Sequence, residues 1–345
     1  MSILDKIKKN TTIKDSAILS QSKFFTEKDM IQTSIPILNV ALSGRFDGGL
    51  TPGLTMFAGP SKHFKTAFSL MMAKAYLDKY DDAALLFYDT EFGSPQSYFD
   101  SFGIDTDRVL HTPITDIEQL KFDIMKQLQD LARGEHLIII VDSIGNLASK
   151  KEVEDALDQK SVGDMSRAKQ IKSLFRMVTP HLNLKDIPMV VVNHVYMEIG
   201  MFPKAIVGGG SGSYYSADNI FIIGRQQEKE GTEIVGYNFI INIEKSRYVR
   251  EKSKIPVTVS FDGGISRWSG LLDLALESGH VIKPTNGWYS KVDKETGEIE
   301  NKKYRIKDTD TKEFWTPILN QESFTKFVSD KYSVSTENIM GVHDD

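Results

Sequence analysis

Lys65 and Thr66 are the first residues in this chain whose types and spacing suggest chemistry. They close the stretch Phe57-Ala58-Gly59-Pro60-Ser61-Lys62-His63-Phe64-Lys65-Thr66. An apolar run of strand length, Leu54 to Ala58, precedes the loop, and the helix-friendly run Ala67 to Tyr76 follows it. A strand, a tight turn and a helix N-terminus present a nest of backbone N–H groups with the helix dipole behind it, which suits phosphate. In such a loop Gly59, Pro60, Ser61, Lys62, His63 and Phe64 would wrap the phosphates. Lys65 would reach the β- and γ-phosphates, and the Thr66 hydroxyl would sit on Mg²⁺. The usual spacing, G-x-x-x-x-G-K-[ST], is broken because Phe64 stands where the second glycine belongs. The bland alternative is a surface turn ahead of a helix, against which the strand–loop–helix context favours the nucleotide reading.

Support comes from the ends of three apolar runs. Ala83 to Tyr88 ends in Asp89-Thr90-Glu91, Leu137 to Val141 in Asp142-Ser143, and Met189 to Val192 in Asn193-His194. Three polar strand ends near a phosphate loop form a constellation, although each has a bland reading as a cap or turn. Asp142 reads as the carboxylate that holds Mg²⁺ through water, making Thr66 and Asp142 the metal pair. Many ATPases place a glutamate directly after this aspartate to polarise the attacking water. Ser143 fills that place here, so Glu91 is the available base. His194 could sense the γ-phosphate and pass the change to the loop behind it.

That loop, Met197 to Ser216, contains Met201, Phe202, Lys204, Gly208, Gly209 and Gly210. A structureless loop of this length in a compact domain is usually functional. Its glycines allow close approach, its apolar groups suit the bases of single-stranded nucleic acid, and Lys204 could meet phosphate. A second loop, Ser149 to Gly163, precedes a helix from Ser166 to Thr179 that bears Arg167, Lys169, Lys172 and Arg176. Arg167 and Lys169 cannot share a helix face, so only part of this set can line one groove. Lys245 and Arg247 end a strand and could meet phosphate in cis, or in trans at a neighbour's site.

The elements that must position these residues follow from the pattern. From Ile31 to about Trp268, short apolar strands alternate with helical segments, which predicts an α/β fold with a twisted, mostly parallel central sheet and ligands at the carboxyl ends of its strands. The strands Asn219 to Gly224, Asn238 to Ile243 and Val257 to Phe261 follow with little helix between them, so that end of the sheet is expected to be antiparallel. Residues 1–30 form a mixed-charge leader with weak helical patterning from Ser16 to Met30, residues 31–268 the core, and residues 269–345 a small α+β domain and polar tail.

At 345 residues with 40% hydrophobic and 26% charged side chains, the composition is that of a soluble globular protein. No run approaches the ~18 apolar residues of a membrane span, and Met1 to Lys9 is too polar for a secretory signal. The absence of cysteine excludes disulfides and thiolate metal sites. A net charge of −5 excludes a general nucleic-acid sponge, so DNA binding must come from loops or a local stripe.

Together these stretches resemble the RecA-family recombinases, most closely their T-even bacteriophage branch, from about Ser22 to Phe314. The matching stretches include Ser22-Lys23-Phe24-Phe25, Ala41-Leu42-Ser43-Gly44, Ala58-Gly59-Pro60-Ser61-Lys62 with Phe64-Lys65, Tyr88-Asp89 with Glu91-Phe92-Gly93, and Asp142-Ser143 with Gly145-Asn146-Leu147-Ala148. Further matches are Glu244-Lys245-Ser246-Arg247, Phe261-Asp262-Gly263-Gly264-Ile265 and Asn286-Gly287-Trp288-Tyr289. Phe64 belongs to the phage pattern, so the departure in the loop becomes part of the likeness.

The resemblance implies a RecA-like ATPase core, an N-terminal segment that docks on the adjacent protomer, and a helical homo-oligomer on single-stranded DNA. It implies ATP and Mg²⁺ as cofactors, Glu91 as the catalytic glutamate, and Tyr98 as the aromatic stacked on adenine. His194 stands where the family couples ATP to DNA binding, with glutamine in the bacterial proteins. Lys245 and Arg247 would meet the γ-phosphate of the neighbouring subunit, and the two loops would bind DNA. Homologous duplex DNA, a recombination mediator and a single-strand-binding protein are the further partners implied, in the cytoplasm of an infected bacterial host. The phage members carry an acidic C-terminal tail that this chain, ending at Asp345, largely lacks. Two other classes use similar parts: a ring helicase motor, and a DNA-coating protein indifferent to ATP.

Overall fold

Apolar runs from the middle of the chain become neighbouring strands of one sheet in the computed structural model, which describes residues 2–22, 28–158, 166–198 and 205–334. The chain opens with α1 (Ile3–Asn10) and α2 (Pro36–Ser43). It then alternates β1 (Gly53–Ala58), α3 (Lys65–Lys79), β2 (Ala84–Asp89), α4 (Gln96–Ser101), β3 (Val109–Pro113), α5 (Ile117–Asp130), β4 (Leu137–Asp142), α6 (Lys150–Leu157), α7 (Ser166–Lys185) and β5 (Pro188–Asn193). A hairpin of β6 (Val195–Met197) and β7 (Ala205–Val207) and the helix α8 (Ser211–Ser216) lead into β8 (Asn219–Glu230), β9 (Glu233–Ser246), β10 (Lys254–Ser260) and β11 (Gly264–Ile265). The last segment holds α9 (Leu271–Glu277), β12 (Val281–Thr285), β13 (Trp288–Lys291), α10 (Lys312–Leu319) and α11 (Glu322–Tyr332).

The main sheet runs β11-β10-β9-β8-β1-β5-β4-β2-β3. Strands β8, β1, β5, β4, β2 and β3 are mutually parallel, whereas β9, β10 and β11 continue antiparallel. Every residue of β1, β4 and β5 is buried, as expected of parallel strands covered on both faces. Alternate residues feed two cores. Phe57, Phe87, Ile138, Ile140 and Val190 pack with α3 and α2 on one face. Met56, Tyr88, Ile139, Val141 and Val191 pack with α5 and α7 on the other. The first core continues into the C-terminal segment, where the Phe46 and Phe324 rings lie 5.5 Å apart.

The structure corrects several expectations. Helix α7 does not stop at Thr179 but continues through Pro180 to Lys185, because Val178 and Leu182 are both buried against the sheet. The stretch after Ser149 is not all loop: α6 begins there on a reciprocal cap between Ser149 and Glu152, an S-x-x-E signal present in the sequence. The stretch Met197–Ser216 contains β7 and α8 rather than no structure. In the leader the regular helix is α1, capped by Ser2, and among the described residues of the stretch expected to be helical there is only a short 3₁₀ turn at Leu19–Gln21. Strand β3 and helix α10 were hidden from pattern reading. Strand β3 is a sheet edge with Leu110 and His111 exposed, which blurs its alternation. In α10 the helix contains Pro317, although Phe314, Trp315 and Ile318 bury one face.

Phe57 sits between Phe68 (5.5 Å) and Phe221 (5.3 Å) beneath the loop, tying β1 to α3 and β8. Phe57→Ala is expected to destabilise the protein by about 3–5 kcal/mol, read as a lowered urea midpoint.

Candidate nucleotide site

The carboxyl ends of β1, β2, β4 and β5 meet at one edge of the sheet. Register sets this: Ala58 pairs with Asn193, Asp89 with Asp142, and Val141 with Val191. A cleft of about 360 Å³ opens there, lined by the loop residues Ser61 to Thr66 and by Glu91, Tyr98, Asp142 and His194. The Gly59 N–H donates to Asn193 O (3.3 Å), which pins the loop to β5. Pro60 accepts the Lys65 ammonium through its carbonyl at 2.7 Å, and His63 Nδ1 lies 2.9 Å from Ser61 O. Burial pulls the Lys65 ammonium below its ordinary range, against the opposing pull of Glu91 and Asp142.

Phe64 stands at the start of α3 with φ +61° and ψ +16°, a left-handed backbone that glycine adopts freely. Its ring stacks on Phe239 (4.7 Å, 16°) and meets Phe68 edge-on at 5.5 Å. Packing therefore holds the conformation that a glycine would supply by freedom. Lys62 shares the left-handed backbone (φ +61°), and its carbonyl accepts from Arg225 Nη1 at 3.2 Å.

Thr66 Oγ1 donates to Asp142 Oδ2 at 2.5 Å, while Asp142 Oδ1 is buried and unpartnered among the described residues. A hydroxyl, a carboxylate and an orphaned carboxylate oxygen beside a phosphate loop fit Mg²⁺ and its water shell. Burial is the largest cause pushing the Asp142 carboxyl up to about 6, with Glu91 and Asp89 adding to it and Thr66 and Lys65 opposing.

Glu91 Oε1 accepts from Ser143 Oγ (2.8 Å) and Asn146 Nδ2 (3.0 Å) and lies 3.2 Å from His194 Nε2. Its turn is built by Asp89, whose Oδ1 accepts from the N–H groups of Glu91 and Phe92. Thr90 and Ser143 exchange hydrogen bonds, Thr90 Oγ1 to Ser143 O (2.8 Å) and Ser143 N–H to Thr90 Oγ1 (2.9 Å), locking β2 to β4. Tyr98 lines the same cleft, and burial raises its phenol. Thr90 and Asn146 fall within the strand end and the matched stretch quoted from the sequence, but neither was given a role there.

Behind His194, Asn193 organises the following loop. Its Nδ2 donates to Gly208 O (2.8 Å), its Oδ1 accepts the His194 N–H (2.8 Å), and Gly208 N–H donates to His194 O (3.0 Å). Gly208 and Gly209 are partly covered, and Gly210 is exposed. Met201, Phe202 and Lys204 lie outside the described residues.

Of the basic residues on α7, Lys169 and Arg176 are exposed and lie seven residues apart, on one face. Arg167 does not fit a nucleic-acid surface as expected. Its guanidinium points inward to the carbonyls of Leu147 (2.7 Å), Ile144 (3.2 Å) and Gly145 (2.6 Å), bracing the turn after β4.

Lys245 and Arg247 lie at the opposite edge of the sheet. Ser246 pairs with Asn219, which is level with Thr55 near the start of β1. The loop begins only after Ala58, about 10 Å further along, so a contact in cis is out of reach. Lys245 Nζ donates to Tyr214 O (2.7 Å) at the end of α8, and Arg247 Nε lies 2.5 Å from Asp218 Oδ1.

The chain is similar to known proteins over most of its length. The family model of the RecA N-terminal domain matches residues 2–266, and that of the C-terminal domain of the bacteriophage T4 recombination and repair protein matches residues 268–328. The T4 recombination and repair protein is 51% identical over 330 residues, covering 94% of this chain and 84% of its own length. Protein RecA of Paenarthrobacter aurescens is 27% identical over 89% of this chain and 84% of its own. Protein RecA of Bacteroides thetaiotaomicron is 27% identical over 86% and 87%.

Because the Asp142 carboxyl binds its proton more tightly folded (about 6) than at its ordinary 3.8, its stabilising contribution is complete at low pH and is lost as pH rises from about 4 through 6. Asp142→Asn is therefore expected to stabilise the nucleotide-free protein at pH 7.5 by about 1–3 kcal/mol. The gain should shrink toward pH 4 while Mg²⁺-dependent nucleotide binding is lost. Urea unfolding at both pH values and a Mg²⁺ titration check this.

Proposed function

From the premise that this chain belongs to the RecA family, as a relative of the phage T4 protein with a role in recombination and repair, we propose that it is a DNA-dependent ATPase that polymerises on single-stranded DNA, pairs it with homologous duplex and exchanges strands. The observation that carries this reading is the split of phosphate-binding parts between two edges of the sheet. Lys65, Thr66, Asp142 and Glu91 stand at one edge, and Lys245 and Arg247 at the other. One subunit thus offers two half-sites facing opposite ways. A whole site forms only when one subunit's rear edge meets the next one's loop, which is a head-to-tail contact that propagates into a filament.

In this reading the loop from Gly59 to Thr66 holds the triphosphate, with Lys65 on the β- and γ-phosphates and Tyr98 against the base. Mg²⁺ held by Thr66 and Asp142 would neutralise charge on the phosphate oxygens. Glu91 orients the attacking water and takes its proton, and ADP and phosphate leave. His194, 3.2 Å from Glu91 and bonded through its backbone to Gly208, links that event to the loop behind it. Release of the bridging charge then loosens the hold on DNA. Lys169, Arg176 and the loop residues Met201, Phe202 and Lys204 supply the DNA contacts. Many subunits, each making a few phosphate contacts, allow a chain of net charge −5 to bind DNA. Residues 1–30 are proposed as the segment that docks on the adjacent protomer, residues 31–268 as the motor and residues 269–345 as a peripheral domain. The setting would be the cytoplasm of an infected bacterium, with a mediator and a single-strand-binding protein as further partners.

ATP hydrolysis measured with and without single-stranded DNA tests the proposal. Strong stimulation is expected, with Lys65→Ala abolishing turnover. Glu91→Ala is expected to keep ATP binding and filaments while losing about 10²–10⁴-fold in rate. Equal rates with and without DNA would overturn the coupling, and closed rings in electron micrographs would favour a helicase motor.

A further inference from the structure

Asp218 is a buried carboxylate with no part in the chemistry described so far. It lies between α8 and β8, its side chain only 3% exposed. Its backbone N–H donates to Leu54 O at 2.8 Å, and its Oδ2 accepts the Leu54 N–H at 2.9 Å. The space it fills exists because position 53 is glycine. A Cβ on Gly53 would fall 2.1 Å from Asp218 Oδ2, and the backbone there has φ +107°. The second carboxylate oxygen lies 2.5 Å from Arg247 Nε, at an angle that makes the contact an ion pair rather than an aligned hydrogen bond. Among the described residues Lys28 and Lys245 also lie near this carboxylate, but Lys28 gives its ammonium to Asn183 Oδ1 at 2.7 Å and Lys245 gives its own to Tyr214 O at 2.7 Å, which leaves Asp218 to the arginine.

The geometry points to Asp218 as the positioning residue for Arg247, aiming its guanidinium out of the rear edge at the terminal phosphate bound by the next subunit. The inference rests on the reading that Arg247 acts in trans. Burying a carboxylate is unfavourable unless a cation and N–H donors accompany it, and a neutral amide would accept from the Leu54 N–H and hold β1 to β8 as well. What the carboxylate adds is direction. Arg247 keeps 64% of its side chain exposed, and the only charged contact found among the described residues engages Nε. The two terminal nitrogens are then left for a forked contact with phosphate oxygens. A lysine drawn to the carboxylate would keep its single ammonium back at Asp218, with no second nitrogen reaching outward to make the forked contact.

Subunit mixing tests this. Asp218→Asn keeps an acceptor for the Leu54 N–H but removes the charge. It is expected to lower the DNA-stimulated kcat tenfold or more while leaving nucleotide binding to the free subunit within twofold, since its own loop is untouched. Glu91→Gln subunits lack their own base but carry an intact Asp218–Arg247 pair. Mixing the two weak proteins should therefore restore turnover above the sum of the parts, at loops of Asp218→Asn subunits that face the rear edge of Glu91→Gln subunits. Arg247→Gln should be rescued in the same way, and the double variant Asp218→Asn/Arg247→Gln should be no worse than Arg247→Gln alone. Arg247→Lys, which leaves the fold a cation at this site, should be as slow as Arg247→Gln. Normal kcat in Asp218→Asn or in Arg247→Lys, with Arg247→Gln inactive, would overturn the positioning role and leave the trans reading standing. Full activity of Arg247→Gln, or no rescue of it by Glu91→Gln, would remove the trans reading and this inference with it.

Discussion

The parallel register of β1, β5, β4 and β2 is the constraint on which the candidate site depends. Parallel strands share one polarity, so their carboxyl ends emerge along one edge, and the residue after each apolar run arrives beside its neighbours'. Ala58 lies opposite Asn193 and Asp89 opposite Asp142, and this brings the loop from Gly59 to Thr66, Asp142, Glu91 and His194 together from stretches far apart in sequence. A slip of one residue in any pair would turn the side chains to the other face and empty the cleft. The two apolar cores prevent the slip, because each strand alternates buried groups between them.

Within that frame the loop shows how packing can stand in for backbone freedom. Phe64 adopts a conformation that glycine reaches without strain, and stacking on Phe239 holds it there. The aromatic contacts continue from Phe239 to Tyr237 and on to Phe261, while Arg225 lies over Tyr237 and bonds to Lys62 O. The phosphate loop is therefore braced by β8 and β9, which also carry Asp218, Lys245 and Arg247 at or beside their far ends. One ribbon touches both half-sites of the subunit, and a rigid connection of this kind suits a chain whose activity is proposed to pass from subunit to subunit.

The motifs, the α/β class and the strand-end polar residues were legible in the sequence because each depends on local chemistry: a run of apolar residues ends, and the next side chain is polar. The reciprocal cap at Ser149 and Glu152 was equally local, and it marks α6. Strand β3 and helix α10 escaped because an exposed edge and an internal proline erase the periodicity that pattern reading requires. Arg167 looked like a surface cation because charge alone does not say which way a long side chain turns. Only the carbonyls left free by the turn after β4 draw it inward.

The sequence by itself thus determined the candidate parts: a loop suited to phosphate, carboxylates at two strand ends, a histidine at a third and a pair of cations, together with the family they resemble. Tertiary structure decided their distribution. Lys245 and Arg247 are local to one strand end, yet whether that end faces the subunit's own phosphate loop depends on the direction in which β8 and β9 join β1. Antiparallel pairing of β9 with β8 was legible in the short connection between them, but it carries these residues to the rear edge only because β8 lies parallel beside β1, a long-range placement that no local sequence encodes. The same holds for Asp218, an ordinary acidic residue in the sequence, which becomes a buried anchor only because Gly53 leaves space for it and β8 lies beside β1.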